Sequence, residues 1–221
     1  MVKLTDLGFS KGVIVETVLS TYNGNGEPNA APMGVIMKNQ RCVLMRIYNS
    51  SITYQNLLSK KSAVVNVTSD VEFFFKSAFK NANPGGKMPR NWFTKAETVD
   101  APSLHMSEAT VEISVENMAP MDEERAEAIC NVEFIKASKI FPKAYCRAFY
   151  ATVEALILAT RIDFYLNKNK KQKEQAAQLI EVFDSCMETV DRVAPKSRYS
   201  EIMAYLAEQI KSWRVENESL H

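Results

Sequence analysis

Between Arg46 and Asn56 the chain gathers groups that together can hold a phosphate: Arg46, Tyr48, Ser50, Ser51, Thr53, Tyr54 and Asn56. A dianionic phosphate is best met by a guanidinium fork, hydroxyl donors and the free N–H groups of a helix's first turn. A strand ending near Tyr48, followed by a Ser/Thr-rich turn into a helix, delivers all three. The same residues also describe an N-capped helix with an exposed arginine beside it, and their chemistry alone leaves both readings open. A second stretch, Ala31-Pro32-Met33-Gly34-Val35, combines small side chains with a proline. It lets a planar ligand approach the strand and meet main-chain N–H and C=O groups, and it equally describes a bulged edge strand.

Other chemistries find no support. His105 and His221 are the only histidines, which excludes most histidine triads and all multi-histidine metal sites. Cys42, Cys130, Cys146 and Cys186 are far apart and form no Cys-x-x-Cys pair, so no metal is expected and the thiols read as reduced. Gly24-x-Gly26 is followed by strand-like residues rather than a helix, unlike a dinucleotide fingerprint. Pro84-Gly-Gly-Lys87 lacks the spacing and the Ser/Thr of a P-loop. Any chemistry is therefore expected to come from a cofactor.

The elements that must position these groups follow from patterning. All seven glycines fall at or before Gly86, which places glycine-dependent turns and β structure first and helices last. Strands are expected at Val13–Ser20, Asn29–Lys38 and Arg41–Tyr48, with Asn23-Gly-Asn-Gly26 as a hairpin turn. Pro32 cannot donate to a ladder, so its strand is expected at an edge or bulged there. A short helix, Thr53–Lys61, should turn Leu57 and Leu58 inward. A strand at Ser62–Thr68 precedes a helix, Val71–Lys80, capped by Asp70. Asn81–Pro89 reads as a loop, and Arg90–Phe93 as a mobile segment carrying Trp92 and Phe93. Glu108–Glu116 and Cys130–Lys139 read as strands, with Met118–Glu127 connecting them. After Pro142 the apolar spacing becomes helical: Phe149, Val153, Leu156, Thr160 and Phe164, then Ala176, Phe183, Met187 and Val190, then Ile202, Leu206, Ile210 and Trp213. Two domains are expected, 1–140 and 141–221.

The 221 residues are 46% hydrophobic and 24% charged, with a formal net charge of +1. That balance suits a soluble globular protein and gives no field that would draw nucleic acid or an anionic membrane. The basic run Lys168–Lys173 sits between helical patterns and reads as a solvated linker. No apolar run approaches the ~20 residues of a membrane span, and no signal-peptide core is evident, so a cytoplasmic location is expected.

Together the two stretches are more specific than either alone. The sequence resembles the FMN-binding split-barrel superfamily, and in particular an archaeal family described as a domain of unknown function. Its members carry a flavin-reductase-like barrel followed by a helical segment. The resemblance rests on Glu16-Thr17, the Asn25-Gly26 turn, Pro28-Asn-Ala-Ala-Pro-Met-Gly-Val35, Thr53-Tyr-Gln-Asn-Leu57 and Val65-Asn-Val-Thr-Ser-Asp70. It implies an α+β fold: an antiparallel, Greek-key-like split β-barrel with flanking helices, followed by a C-terminal three-helix segment. It also implies a homodimer with FMN at the subunit interface. Arg46, Ser51, Thr53 and Tyr54 would then hold the phosphate, with Tyr48 beside them and Asn56 supporting the turn. Ala31, Pro32, Met33, Gly34 and Val35 would line the isoalloxazine, and Trp92 and Phe93 either stack on a flavin from the partner subunit or are buried core aromatics. Such a protein would be a flavin-dependent oxidoreductase, or else a flavin or deazaflavin carrier or sensor using its helices to bind a partner.

Overall fold

The computed structural model describes residues 2–138, 146–167 and 170–219. The chain forms two compact units, Met1–Phe141 and Pro142–His221. The boundary expected at 140/141 lies outside the described residues, as do the first two residues of the Lys168–Lys173 run.

The first unit is a closed barrel of six antiparallel strands. Its members are β1 (Ile14–Tyr22), β2 (Pro28–Asn39), β3 (Cys42–Tyr48), β4 (Ser62–Val67), β7 (Ala109–Pro120) and β8 (Arg125–Ala137), in the order β1-β2-β3-β8-β7-β4. Helix α1 (Ile52–Lys60) joins β3 to β4, and α2 (Val71–Ala78) follows β4. A separate small hairpin, β5 (Phe93–Lys95) with β6 (Pro102–Leu104), was not expected from the sequence. Three-residue strands are too short to show a period.

Alternation decides which side chains enter the barrel. Leu19, Met33, Val35, Met37, Val43, Met45, Ile47, Val65, Val111, Ile113 and Cys130 point into one cluster, and Leu57 of α1 joins them at one end. Burying a leucine of this kind contributes roughly 2 kcal/mol. Leu58, expected to face inward with Leu57, is 48% exposed. A helix lying on a barrel end buries one stripe, and adjacent positions stand about 100° apart.

Two buried polar residues tie the layers together. Asn66 on β4 donates to the carbonyls of Val18 (2.8 Å) and Val64 (3.1 Å) and to Ser20 Oγ (2.8 Å), and accepts from the Leu104 N–H (2.9 Å). Glu112 on β7 accepts from the N–H groups of Glu97 (2.7 Å) and Thr98 (2.6 Å) and from Thr98 Oγ1 (2.6 Å). These contacts strap the β5–β6 hairpin to the barrel.

Met118–Glu127, expected as a connection, is largely ladder. Met118 pairs with Ala128, Ala119 with Glu127 and Pro120 with Ala126, so only a short turn remains. Asp122 closes that turn by accepting from the N–H groups of Glu124 (3.0 Å) and Arg125 (2.7 Å). The strand ends are exposed on both faces and therefore carry no apolar alternation to read.

The second unit contains α3 (Arg147–Leu166), α4 (Lys170–Val193) and α5 (Arg198–Ser219). Helix α3 contacts both other helices. It accordingly buries Ala148, Thr152, Ala155, Ala159 and Ile162 as well as Val153 and Leu156, while Thr160 of the expected stripe is exposed. Helix α4 buries Ala176, Phe183 and Val190, one residue per heptad. It begins at Lys170, so part of the basic run is helical rather than linker.

Candidate functional site

The β2–β3 ladder holds only over part of its length. Val35 pairs with Met45, Ile36 with Leu44 and Met37 with Val43, and a bulge precedes the Asn39–Cys42 pair. Continuing this register would set Gly34 against Arg46 and Pro32 against Tyr48, but those pairs do not form. From Pro28 to Gly34, β2 pairs with β1 alone, and Arg46, Ile47 and Tyr48 pair with β8 alone. The barrel is split there, and Pro32, which has no N–H, lies on the open edge. The expectation of an edge at Pro32 holds locally, whereas the bulge lies further on, between Met37 and Asn39.

Helix α1 starts at the same end of the barrel. Ser51 has extended backbone (φ −80°, ψ 149°), and its Oγ accepts the Tyr54 N–H at 3.1 Å. Its own hydroxyl proton remains available. Among the described residues, the N–H groups of Ile52 and Thr53 and the Thr53 hydroxyl have no hydrogen-bond partner. Arg46 is exposed on the outward face of β3, in register with Glu127. It makes no ion pair or hydrogen bond among the described residues. A cation, two hydroxyls and free helix N–H groups therefore stand beside an open strand edge, an arrangement suited to an anion with a flat body.

The residues expected at the site divide into groups. Ala31 to Val35 lie on β2, with Met33 and Val35 turned into the core and Gly34 outward. A Cβ at Gly34 would come within 2.9 Å of Ile14 Cγ2 and 3.8 Å of Glu16 Oε1, so the glycine keeps the strand surface low there. Tyr48 is 45% exposed beside Arg125. Tyr54 is half-buried against the barrel core and fixes the helix rather than presenting its ring. Asn56 is buried and already engaged, donating to Thr21 Oγ1 (2.9 Å) and Asn23 Oδ1 (3.0 Å). It anchors α1 to the β1–β2 hairpin.

Trp92 lies in the segment that follows α2. It closes a 3-10 turn, Arg90–Trp92, and meets Phe73 of α2 edge to face, with ring centroids 5.0 Å apart. Its carbonyl lies 2.9 Å from His105 Nδ1 and also accepts the His105 N–H. The segment expected to be mobile is thus held by an aromatic contact and by the β5–β6 pairing.

Sequence reasoning missed Lys80. Its half-buried ammonium donates to Asn29 Oδ1, next to the Asn56–Thr21 network, and burial pushes its pKa down. No local pattern could reveal a contact between residues 51 positions apart.

The family model for the N-terminal domain of DUF447, described as a protein of unknown function, matches residues 15–140. The chain belongs to the DUF447 family. Among solved structures, an FMN-bound DUF447 protein of Methanosarcina mazei is 24% identical, with a TM-score of 0.74 over 93% of this chain and 98% of that one. Both share the split barrel and helical tail. Component B of a Bacillus cereus nitrilotriacetate monooxygenase is 16% identical, with a TM-score of 0.49 over 62% of this chain and 78% of its own. A 2-nitrobenzoate nitroreductase of Pseudomonas fluorescens is 14% identical, with a TM-score of 0.47 over 59% and 68%. No helix among the described residues is long and apolar enough to cross a membrane.

Proposed function

We propose that this DUF447 protein is an FMN-binding flavoprotein and an oxidoreductase of the flavin-reductase type. The observation that carries the reading is the split between β2 and β3, flanked by the open first turn of α1 and by Arg46, which has no ion pair or hydrogen bond among the described residues. The donor set fits the group. Arg46 supplies a fork for the phosphate, and Ser51, Thr53 and the first N–H groups of α1 supply neutral donors. The unladdered edge at Ala31–Gly34 presents main-chain groups to the polar rim of the ring. An FMN-bound relative with the same overall fold supports the assignment. Bound FMN would supply a ring able to take up a hydride or single electrons, while the protein positions it and tunes its surroundings.

The molecule works as a homodimer with the flavin at the interface. Ile14, Tyr48, Ile52 and Leu58 lie on or near the split and are between 45% and 55% exposed. A second copy covering them would also exclude water from a seat that one chain leaves open.

The donors described at the seat, a guanidinium, hydroxyls and main-chain N–H groups, bind and position a flavin, and that chemistry also suits a non-catalytic flavin or deazaflavin carrier as the second reading. Purified protein should bind FMN in a fluorescence titration and carry its absorbance bands. Rapid turnover with a reductant and an acceptor would then mark an enzyme, and tight flavin without turnover a carrier. Failure to bind FMN ends the first reading.

A further inference from the structure

We propose that the barrel carries a second ligand site, a cleft for a phosphate-bearing nucleotide distinct from the flavin seat. The cleft is open to solvent and offers about 430 Å3 between the β1–β2 hairpin and the segment entering β5. Tyr22, Asn25 and Pro28 line one wall, and Arg90, Phe93 and Lys95 the other. Pockets for small organic ligands run from roughly 300 to 1,000 Å3, so the space suits a nucleotide.

The charges are arranged for an anion. Arg90 Nη2 sits 2.6 Å from Glu27 Oε1, and Lys87 Nζ sits 3.1 Å from Glu27 Oε2. The pairing uses a fraction of the guanidinium's five donors and holds the rest at the mouth of the cleft. Lys95 makes no ion pair or hydrogen bond among the described residues. Facing them are the Glu27 carboxylate and Asp100, whose charge is felt by the Tyr22 hydroxyl. Three cations against two anions leave a net positive rim.

The walls add the second half of the recognition. Tyr22 and Phe93 are half-buried and give the cleft flat aromatic surface. Asn25, in the hairpin turn, uses its Oδ1 to accept the Glu27 N–H at 3.1 Å, which leaves its side-chain amide N–H groups to donate. A cationic rim over aromatic walls matches a phosphate attached to a flat base, and neither part alone satisfies both features. Of the cleft's lining only Pro28 lies on the open edge of β2; the groups proposed to hold the flavin stand further along that edge at Ala31–Gly34, on the outward face of β3 and in the first turn of α1.

The test is a calorimetric titration of the full chain with ADP, adenosine and inorganic phosphate as probes. ADP should bind, with adenosine and phosphate each weaker by about tenfold or more. Replacing both cations (Arg90→Gln with Lys95→Gln) should weaken ADP by roughly tenfold or more, with FMN affinity and melting temperature unchanged. Phe93→Leu should weaken ADP while leaving inorganic phosphate alone. Absence of ADP binding at millimolar concentration would overturn the proposal, as would ADP affinity indifferent to the double substitution. An equal loss of FMN affinity in that variant would also overturn it, by showing that the cleft is part of the flavin seat.

Discussion

Asn56 and Arg46 stand ten positions apart, belong to one polar stretch and end in opposite circumstances. Asn56 is buried, with both amide hydrogens spent on Thr21 and Asn23. Arg46 is exposed and spends none of its five donors on the described residues. A buried polar group without partners is costly, so the fold satisfies Asn56 internally. An exposed guanidinium is satisfied by water and can exchange that water for a ligand. The difference separates residues that build the seat from residues that fill it, although the sequence lists them together.

The largest expected effect falls on the building side. Asn56→Ala removes two buried hydrogen bonds and detaches α1 from the hairpin, and should lower stability by about 2–3 kcal/mol in urea unfolding. Glu112→Gln keeps the shape of another internal anchor but sets an NH2 donor against one of the two backbone N–H groups it accepts from. A loss of about 2 kcal/mol is expected, with hydrogen exchange rising first at Glu97 and Thr98. An undisturbed exchange pattern would mean that the β5–β6 hairpin holds without its strap.

Much of the scaffold was legible because local chemistry and tertiary need agree in it. Asp70 caps α2 by accepting the Glu72 N–H at 2.9 Å, as its type and position suggest. Asn23–Gly26 forms the hairpin, with Gly26 at φ +79°. The Ala31–Gly34 edge of β2 and the Arg46–Tyr48 edge of β3 lie on the two sides of one gap in the ladder, while Val35 is paired with Met45. The sequence could not show that Asn56 is consumed by partners in the β1–β2 hairpin. Nor could it show that Asn66, part of the same family-like pattern, bonds five other residues and serves the fold. It was equally silent on Trp92 meeting Phe73 edge to face. Long-range contacts leave no trace in local spacing, which is also why the Lys80–Asn29 contact and the long β7–β8 ladder went unread.

On the filling side the effects should be smaller and should appear in affinity. Thr53→Val preserves volume at a position only 3% exposed. It should leave the melting temperature nearly unchanged while weakening FMN by about fivefold to tenfold, the equivalent of one hydrogen bond. A large stability loss with intact affinity would move Thr53 into the building class beside Asn56.

An effect that appears only at alkaline pH concerns the barrel interior. Burial, with lesser contributions from Cys42 and Glu116, pushes the Cys130 thiol from an ordinary value of 9.0 up to about 12. Above pH 9 the unfolded chain loses a proton that the folded chain keeps, so stability should fall as pH rises between those values. Cys130→Ala should flatten that slope. An unchanged slope would assign the alkaline loss to other groups.

The central claim is that a flavin phosphate is held by Arg46 at the split in the barrel. A fluorescence titration of Arg46→Ala with FMN, run beside the unsubstituted protein, tests it directly. The expected loss is roughly 10- to 100-fold in affinity, as for removal of a charge-assisted contact, with the same melting temperature for both apo proteins. Equal affinity in the two would contradict the claim and place the flavin elsewhere on the barrel.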